Sequence, residues 1–421
     1  MPRPFPLMRL LVITHTFPPS RHANAKRPYY LVKGFLAAGW RVDIVTGSLG
    51  MENGAAETVV HPALRIIRRK DPVEQLCRKF AGHPSLFRFV SLAINGLLWP
   101  DECVFWSRRA LRACGNATGY DRVLAFVNPP SVLLSGLSSR RVGSRWIFDF
   151  QDSVTPFFRQ LPRRSPLQRT MVPVLRKLER HTLHKAGRVV FTSDTNRRTY
   201  IQDGLVEESA TALIPYFFDA DTFRAPAEAI PDRFQIVHLG TFDWRGARSP
   251  ETFLRALARF LEKKPGARPR THFLFHGNWF TDHDHFIREL KLQDVVSINP
   301  AVSYSEYIRK LRQSPILLLV VSSTHNLFMP SKIVDYFGAQ RPILSFVPQG
   351  SEMRQILDAA GMTEFACDEF DVTGGTAALE RLWDRYQAGT LSGNADKTLS
   401  WSSEVQMPRY LNMVAQMDDA A

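Results

Sequence analysis

The fold is decided by residues 8–46, which read MRLLVITHTFPPSRHANAKRPYYLVKGFLAAGWRVDIVT. The stretch opens with a continuous apolar run of strand length at 8–14, followed by a proline-rich loop. A helical pattern over 25–38 ends at Gly39, a residue that suits a helix C-terminus, and residues 41–46 form the next apolar run. This order predicts a βαβ unit with a parallel pair of strands and a right-handed crossover.

The same alternation continues in two series along the chain. The first series has expected strands at 122–127, 145–150, 188–192 and 211–214, and a basic helix at 167–186. The second has expected strands at 234–240, 272–276, 295–298, 316–321 and 342–346, and helices at 251–261 and 331–337. The sequence therefore predicts an α/β protein with two doubly wound, Rossmann-like domains facing across a cleft, where ligands bind beyond the carboxyl ends of the strands.

A change of composition indicates where one domain ends and the next begins. Residues 219–232 contain two prolines and several alanines and show no clear period, so they predict a linker. We expect an N-terminal acceptor-binding domain over 1–218 and a C-terminal donor-binding domain over 233–400. A helix over 401–421 is expected to end the chain and to cross back to the first domain.

The charge balance points to an anionic partner. Lysine and arginine number 54 against 40 acidic residues, which gives a net charge of +14. Nucleic acid, an acidic membrane surface and a phosphorylated substrate are the partners that such an excess favours. No nucleic-acid-binding motif is present, so we expect no nucleic-acid partner. Basic residues on both sides of the apolar turn at 171–175 suit a helix on an anionic membrane surface, and a solvated basic face fits the same pattern.

Cysteine usage and the first apolar run bear on the compartment. Cys77, Cys103, Cys114 and Cys367 form neither a CxxC pair nor a zinc-like array, which predicts free thiols in a reducing compartment. The first apolar run is too short for a signal sequence or a membrane span. We expect a cytoplasmic protein, at most peripheral to the inner face of the membrane. The Asp/His stretch at 282–285 does not make a complete ligand set, so no metal is expected.

Six segments carry a family resemblance by their order and spacing. They are LVITHTFPP at 11–19, IFDFQD at 147–152, the glutamate and strand at 179–193, IPYFFDADTF at 214–223, the loop at 240–250, and MPSKIVDY with RPIL at 329–344. Together they resemble the GT-B glycosyltransferases, family 4 in particular. The resemblance implies a retaining transfer from a nucleotide sugar, usually without a metal ion. Members of this type often build bacterial surface polysaccharide.

The start of the helix predicted at 331–337 is a candidate phosphate site. Free N–H groups at a helix N-terminus bind phosphate, and Lys332 adds a positive charge there. Ser331, which follows Pro330, can cap the helix. A capped surface helix with a solvent-facing lysine is the alternative. The resemblance implies that Asp335 binds the ribose hydroxyls of the donor.

Arg248 is a second candidate for the donor phosphates. It follows the strand that ends at Gly240 and Thr241, and a guanidinium there can hold a diphosphate bidentately. Neutralising a leaving nucleoside diphosphate is a main electrostatic task of this chemistry. Arg245 competes for the role, and the family spacing favours Arg248. The alternative for both is an ordinary surface arginine.

Another strand of the second domain ends at His276 and Gly277. Gly277 allows a nucleotide base to approach the backbone closely, and His276 either lines that site or is a hydrogen-bonded structural histidine. The predicted donor-binding residues are Gly240, Thr241, Arg248, His276, Gly277, Pro330, Ser331, Lys332 and Asp335.

Polar residues of the first domain are candidates for acceptor contacts. Ser20, Asn24 and Arg27 lie between the first strand and the first helix, and we expect them to meet the donor phosphates or an anionic acceptor. A solvated loop is the alternative. Asp152 follows a strand, where its carboxylate can orient an acceptor hydroxyl or act as its base, or else cap a helix or pair with an arginine. The predicted catalytic residues are Asp152, Arg248 and Lys332.

Some positions depart from the family pattern. Leu327 stands where the first of two paired glutamates is usual, and Gln151 stands where arginine is usual. We expect a retaining glycosyltransferase that moves a sugar from a nucleotide sugar, its co-substrate, to a glycan or lipid-linked acceptor, with no further cofactor. A catalytically degenerate nucleotide- or sugar-binding protein of the same fold and a nucleotide-sugar epimerase are the alternatives.

Overall fold

The computed structural model describes residues 8–20, 22–47, 60–79, 98, 100–113, 117–133, 143–160, 166–224, 230–242, 248–323, 329–393 and 395–417. The chain divides into two compact units. The first is Met1–Pro215 together with Met407–Ala421, and the second is Tyr216–Gln406.

In the described part of the first unit, seven parallel strands form a sheet in the order β3-β2-β1-β4-β5-β6-β7. The strands are β1 (Arg9–Ile13), β2 (Arg41–Gly47), β3 (Leu64–Arg69), β4 (Arg122–Phe126), β5 (Trp146–Phe150), β6 (Arg188–Phe191) and β7 (Thr211–Leu213). Strands β4 and β5 are buried throughout because helices cover both faces of a parallel sheet. The strand order reverses beside β1, the position where doubly wound sheets bind ligands.

Local sequence signals set the ends of the helices in this unit. Helix α1 (Lys26–Ala37) is followed by Gly39, whose φ of 85° suits the turn into β2. The other helices are α2 (Pro72–Lys79), α3 (Val104–Ala113), α4 (Thr155–Gln160), α5 (Pro166–Leu183) and α6 (Asp194–Gln202), with short 3₁₀ turns at Ala23–Ala25 and Glu208–Ala210. Ser193 caps α6 by accepting a hydrogen bond from the Asn196 N–H.

In the described part of the second unit, six parallel strands lie in the order β10-β9-β8-β11-β12-β13. They are β8 (Phe234–Thr241), β9 (Thr271–Asn278), β10 (Val296–Asn299), β11 (Ile316–Val320), β12 (Ile343–Phe346) and β13 (Ala366–Cys367). Alternate residues of β8 enter two separate cores: Phe234 and Ile236 pack on one face, and Val237 and Leu239 pack on the other. Both faces of this sheet are therefore covered.

The helices of the second unit supply the two covering layers. They are α7 (Ala220–Arg224), α8 (Glu251–Lys263), α9 (Asp284–Glu289), α10 (Tyr304–Gln313), α11 (Lys332–Ala339), α12 (Glu352–Ala359), α13 (Val372–Gln387) and α14 (Ala395–Thr398). The last helix, α15 (Ser403–Ala415), begins in this unit and continues into the first. Short 3₁₀ turns lie at Pro265–Arg270, Thr281–His283 and Leu399–Trp401. Helices α8 and α13 bury apolar residues in one core, and α11 buries its apolar residues in the other.

The end of the chain returns to the first unit through the C-terminal part of α15. Tyr410 of this helix donates a hydrogen bond to Asp149 at 3.0 Å. Arg27 meets the same carboxylate with two hydrogen bonds of 2.8 and 2.9 Å and also donates to the carbonyls of Ile214 and Pro215. Arg27 is only 2% exposed. This burial argues against the predicted ligand contact of Arg27 and gives it a structural role.

The predicted fold class, an α/β protein with two doubly wound parallel sheets, is confirmed. Each predicted strand is present with its ends shifted by at most two residues. Strands β3 and β13 were not predicted, nor were several of the helices, α7 among them. Strand β3 has the sequence LRIIRR, whose charges hide the apolar run, and α7 lies inside the segment predicted as a linker.

The packing of α7 explains why residues 220–224 are helical. Phe223 of α7 packs edge-on against Phe218, with ring centroids 5.7 Å apart, and both join the core of the second unit.

Among the described residues, no helix is long and apolar enough to cross a membrane.

Candidate active site

The amino group of Lys332, the first residue of α11, lies against a buried histidine of β8. Lys332 Nζ is 3.2 Å from His238 Nε2, and the other ring nitrogen, Nδ1, is 2.9 Å from the carbonyl oxygen of Leu318. Burial, followed by the positive charge of Lys332, holds the pKa of His238 well below its ordinary value. The imidazole is therefore neutral, donates its Nδ1 proton to Leu318 and accepts from the lysine through Nε2.

Lys332 shares its surroundings with a second cation, Arg248. Burial, and then the charge of Arg248, lowers the pKa of Lys332 to about 7. No carboxylate pairs with either cation within the described residues. Two cations held together without a counter-charge attract an anion, and an anion bound there restores the pKa of the lysine.

Two glycines make room for this amino group. Gly240 of β8 and Gly277 of β9 are paired in register at the carboxyl ends of their strands. A Cβ atom on Gly240 would collide with Lys332 Nζ, and one on Gly277 would collide with the carbonyl oxygen of Gly240. Gly277 also has a φ of 143°, which favours glycine. At these two positions the chain therefore presents only backbone atoms to the lysine.

A group of polar and aromatic side chains lies farther along α11. Asp335 is 3% exposed and accepts a hydrogen bond of 3.1 Å from the Tyr307 hydroxyl of α10. The ring of Tyr307 stacks with that of Tyr304, which is 44% exposed. Asp335 and Lys332 are three residues apart, so they lie on the same side of the helix. A ligand that reaches both would need an anionic part and a part with hydroxyl groups.

His276, at the end of β9, is buried with both ring nitrogens lacking a well-formed hydrogen bond among the described residues. Burial, and then the charge of Lys310, lowers the pKa of His276. A neutral imidazole with unsatisfied nitrogens is costly unless a ligand or water completes its hydrogen bonds. The donor role of His276 stays a prediction.

The remaining predicted donor residues lie at the same edge of the second sheet. Thr241 ends β8, and its hydroxyl accepts a hydrogen bond of 3.4 Å from Asn278. Pro330 and Ser331 precede α11, and the Pro330 carbonyl accepts from the N–H of Ile333 at 3.1 Å. The side chain of Ser331 makes no cap hydrogen bond, so the expected cap is absent. Arg245 and Leu327 lie outside the described residues.

The predicted residues of the first unit, Arg27 apart, lie near the carboxyl ends of β1 and β5. Asp152 accepts a hydrogen bond of 2.6 Å from the Asn128 side chain, which follows β4. The neighbouring Gln151 donates to the carbonyl of Asn24 at 3.4 Å, which ties the loop after β1 to the acidic stretch. Ser20 accepts a hydrogen bond of 3.3 Å from the N–H of His22.

The Asp/His stretch at 282–285 does not converge on a common point. Asp284 accepts from the indole N–H of Trp279 at 2.8 Å, and His285 Nδ1 contacts the carbonyl of Asp282. His283 is buried among aromatic rings. These contacts are structural.

Sequence reasoning missed three residues that lie beside the predicted donor residues, namely His238, Tyr304 and Tyr307. His238 occupies a position in an apolar strand, FQIVHLGT, where a histidine resembles a core residue. The tyrosines lie in a helix that was not predicted. A single polar residue two positions before the glycine of a buried strand is a signal that points to His238.

One family of known proteins resembles part of the sequence. Residues 25–216 match the family model described as a glycosyl transferase 4-like domain. No curated protein matches the sequence significantly.

Solved structures resemble the chain over nearly its whole length. Sucrose-phosphate synthase from Thermosynechococcus elongatus is 17% identical with a TM-score of 0.66, over 97% of this chain and 98% of that one. An E. coli trehalose-6-phosphate protein bound with UDP-2-fluoro glucose is 15% identical with a TM-score of 0.61, over 97% and 99%. A UDP-forming trehalose-phosphate synthase from Burkholderia xenovorans is 13% identical with a TM-score of 0.59, over 98% and 100%. At these identities the likeness shows a shared fold.

Proposed function

We propose that this GT-B glycosyltransferase, whose residues 25–216 form a glycosyl transferase 4-like domain, moves a sugar with retention from a nucleotide sugar to a glycan or lipid-linked acceptor. The observation that carries the proposal is the pair of cations Arg248 and Lys332 in the second unit, which no carboxylate of the described residues neutralises. The cell process we propose is the synthesis of bacterial surface polysaccharide.

The two cations suit the diphosphate of a nucleotide sugar. When the bond between the sugar C1 and the phosphate oxygen breaks, negative charge grows on the leaving diphosphate. Arg248 and Lys332 stabilise that charge in a partly buried place, where fixed charges act more strongly than in water. The helix N-terminus at Lys332 adds backbone N–H groups aimed at the same anion.

The nucleoside part fits the side chains farther along α11. The Asp335 carboxylate, which accepts a hydrogen bond from Tyr307, would also accept hydrogen bonds from the ribose hydroxyls. His276 and the backbone at Gly277 would border the base. The E. coli protein of the same fold binds UDP-2-fluoro glucose, which supports a donor of this class.

We place the acceptor in the first unit, beside Asp152 and Asn128. The carboxylate of Asp152 orients the acceptor hydroxyl. The new bond forms between that oxygen and C1 on the face the diphosphate leaves, and the hydroxyl proton passes to an oxygen of the departing diphosphate. No protein nucleophile is required for this step.

Helix α5 supports an anionic membrane surface as a further partner of a cytoplasmic enzyme. Its residues Leu175 and Glu179 are buried, whereas Val174, Arg176 and Lys177 are exposed. An exposed apolar residue among cations is the composition of a helix that rests on anionic lipid. A lipid-linked acceptor would be reached from that surface.

A thermal-shift screen with UDP, GDP, ADP and TDP tests the donor site, because a ligand of the folded state raises the melting temperature. We expect one nucleoside diphosphate to raise it clearly. Lys332→Ala and Arg248→Ala should each weaken that binding about tenfold or more, the usual loss for a hydrogen bond to a charged group. Lys263→Ala and Arg259→Ala, on the exposed face of α8, are the matched controls and should bind as the wild type does.

Donor turnover separates an enzyme from a binding protein of the same fold. The absence of the usual glutamate at Leu327 favours the second candidate, a catalytically degenerate protein. Release of nucleoside diphosphate from the matching nucleotide sugar, lost in Lys332→Ala, supports the transferase. Tight donor binding with no release in the presence of acceptor extracts supports the degenerate protein.

A further inference from the structure

Three potential metal ligands converge in the first unit. His15 follows β1, Asp71 lies between β3 and α2, and Cys103 immediately precedes α3. His15 Nε2 is 3.3 Å from Asp71 Oδ2 and 3.5 Å from Cys103 Sγ. One ligand atom of each residue lies within 4.8 Å of the others, and within the described ranges no other group of His, Cys, Asp and Glu converges in this way.

Two of the three separations match those of a tetrahedral zinc site. Zinc binds nitrogen and oxygen at about 2.0–2.1 Å and sulfur at about 2.3 Å, which places neighbouring ligand atoms about 3.3–3.6 Å apart in a tetrahedron. The two distances at His15 fall in that range. Imidazole, carboxylate and thiolate together suit zinc or a similar transition metal, whereas magnesium and calcium prefer oxygen ligands alone.

The cluster is buried on one side and open on the other. Asp71 and Cys103 are 1% and 6% exposed, and the side chain of His15 is 20% exposed. Trp106 packs edge-on against the His15 ring, with centroids 4.8 Å apart. An ion held by the three side chains would therefore be shielded by protein and keep one position for water.

Neighbouring groups hold the three residues in place before any ion binds. The second oxygen of Asp71 accepts a hydrogen bond of 2.9 Å from the N–H of Val73. The carbonyl of His15 accepts from the Thr46 hydroxyl at 3.1 Å and from the Gly47 N–H at 3.0 Å. A Cβ atom at Gly47 would lie 3.3 Å from His15 Nε2, so the glycine keeps this nitrogen accessible. Such outer contacts are typical of metal sites.

We propose that His15, Asp71 and Cys103 bind one Zn²⁺ ion, with water as the fourth ligand. Binding replaces the proton of the Cys103 thiol by the Zn–S bond, and the proton leaves to solvent. The ion joins the loop after β1 to the starts of α2 and α3. It therefore stiffens the loop that carries Ser20 and Asn24.

Cobalt is the spectroscopic probe for the full-length, chelator-treated protein. A tetrahedral Co²⁺ thiolate site shows visible ligand-field bands and a near-ultraviolet sulfur-to-cobalt charge-transfer band. We expect one equivalent of Co²⁺ to produce both and Zn²⁺ to abolish them. Cys103→Ser should lose the charge-transfer band, and Cys367→Ser, which alters a buried thiol of the second unit, should retain it. A wild-type spectrum with no thiolate band, or one unchanged in Cys103→Ser, overturns the proposal.

A second measurement keeps the test independent of the cysteine. Asp71→Asn and His15→Ala should weaken Zn²⁺ binding about a hundredfold or more, since even the loss of an outer-shell contact typically costs 10–100-fold. Removal of zinc by a chelator should lower the melting temperature of the wild type and of Cys367→Ser. It should leave the melting temperatures of Asp71→Asn and His15→Ala unchanged. Circular dichroism establishes that each variant is folded. Equal zinc affinity in folded wild type and both variants overturns the site.

Discussion

The amino group of Lys332 lies 3.2 Å from Nε2 of His238, and the histidine is neutral. A neutral acceptor holds the ammonium in position and leaves its charge in place, whereas a carboxylate would neutralise that charge. The charge is therefore left for a ligand. The cost of this arrangement is visible in the lysine, whose pKa is lowered to about 7.

Donor affinity should therefore depend on pH through Lys332. The lysine is charged below its pKa and neutral above it, and a bound diphosphate raises that pKa, so binding takes up a proton. We expect the affinity for the nucleoside diphosphate to fall as the pH rises from about 6 to about 8.5. Calorimetry in buffers of different ionisation enthalpy measures the affinity and the proton uptake together.

Lys332→Arg is the control for this pH dependence, because arginine stays charged throughout the range. Its affinity should change little above about pH 7, where the ligand phosphate is fully ionised. The same fall in affinity in both proteins would show that another group is responsible.

His238→Phe tests whether the histidine positions the lysine. The imidazole stacks on Phe242, with centroids 4.3 Å apart, so phenylalanine preserves the ring packing and removes both polar contacts. We expect the free energy of unfolding to fall by about 0.5–1.5 kcal/mol, because the Leu318 carbonyl loses one hydrogen bond and keeps the one from the Tyr336 hydroxyl. The pKa of Lys332 should also fall further, since its ammonium loses an acceptor.

The pH profile of donor binding separates positioning from a purely structural role. In His238→Phe the midpoint of the profile should move to lower pH. A variant that loses stability but keeps the wild-type midpoint would assign His238 to packing alone.

Asp335 should couple to the ribose hydroxyls of the donor. We expect Asp335→Asn to weaken binding of the nucleoside diphosphate and to reduce the penalty for its 2′-deoxy analogue, because the same contact cannot be lost twice. The coupling between the two changes should be about 0.5–3 kcal/mol. Pyrophosphate, which has no ribose, is the control ligand and should bind both proteins alike. Full additivity of the two losses would remove Asp335 from the ribose site.

The sequence predicted best those features that are set by residues adjacent along the chain. Lys332 begins a helix and Gly240 and Thr241 end a strand, so their neighbours along the chain reveal their place at the edge of the sheet. The strands were predicted well because a buried parallel strand is a continuous apolar run. Strand β3 was missed because its charges interrupt that run.

Contacts between distant residues gave no such signal. Arg27 and Asp149 are 122 residues apart, and the sequence offered Arg27 as a loop cation near a ligand. His15 and Cys103 are 88 residues apart, and no cysteine spacing marks them as ligands. Such residues are brought together only by the order of the strands in the sheet. The sequence predicts the fold class to which that order belongs, and it does not predict the individual side-chain contacts.

The buried ion pair of Arg27 and Asp149 should be important for stability. Removing one partner leaves an unpaired buried charge, so Arg27→Ala should lower the free energy of unfolding by about 3–5 kcal/mol in urea titrations. Tyr410→Phe removes one hydrogen bond to the same carboxylate and should cost about 1 kcal/mol. Arg41→Ala, at an exposed position, is the control and should change stability little. A small effect of Arg27→Ala would contradict the structural role and reopen a ligand contact.

Glu179 should make the stability of the protein depend on pH. Its side chain is fully buried and accepts a hydrogen bond of 2.6 Å from Tyr200. Burial raises the pKa of Glu179 to about 7, against 4.5 for an unperturbed glutamate. Between these values the folded state binds more protons than the unfolded one, so the free energy of unfolding falls as the pH rises from about 4.5 to about 7.

Glu179→Gln removes this titration while keeping the shape of the side chain and an acceptor for Tyr200. The stability of the variant relative to wild type should improve by up to about 3 kcal/mol from about pH 4.5 to about pH 8, the equivalent of the raised pKa. Urea unfolding at several pH values measures the change. Glu207→Gln, at an exposed position, should show no comparable trend. If the two variants behave alike across this range, Glu179 is ionised in the folded protein, and its burial must be compensated by a charge or by water near its second oxygen.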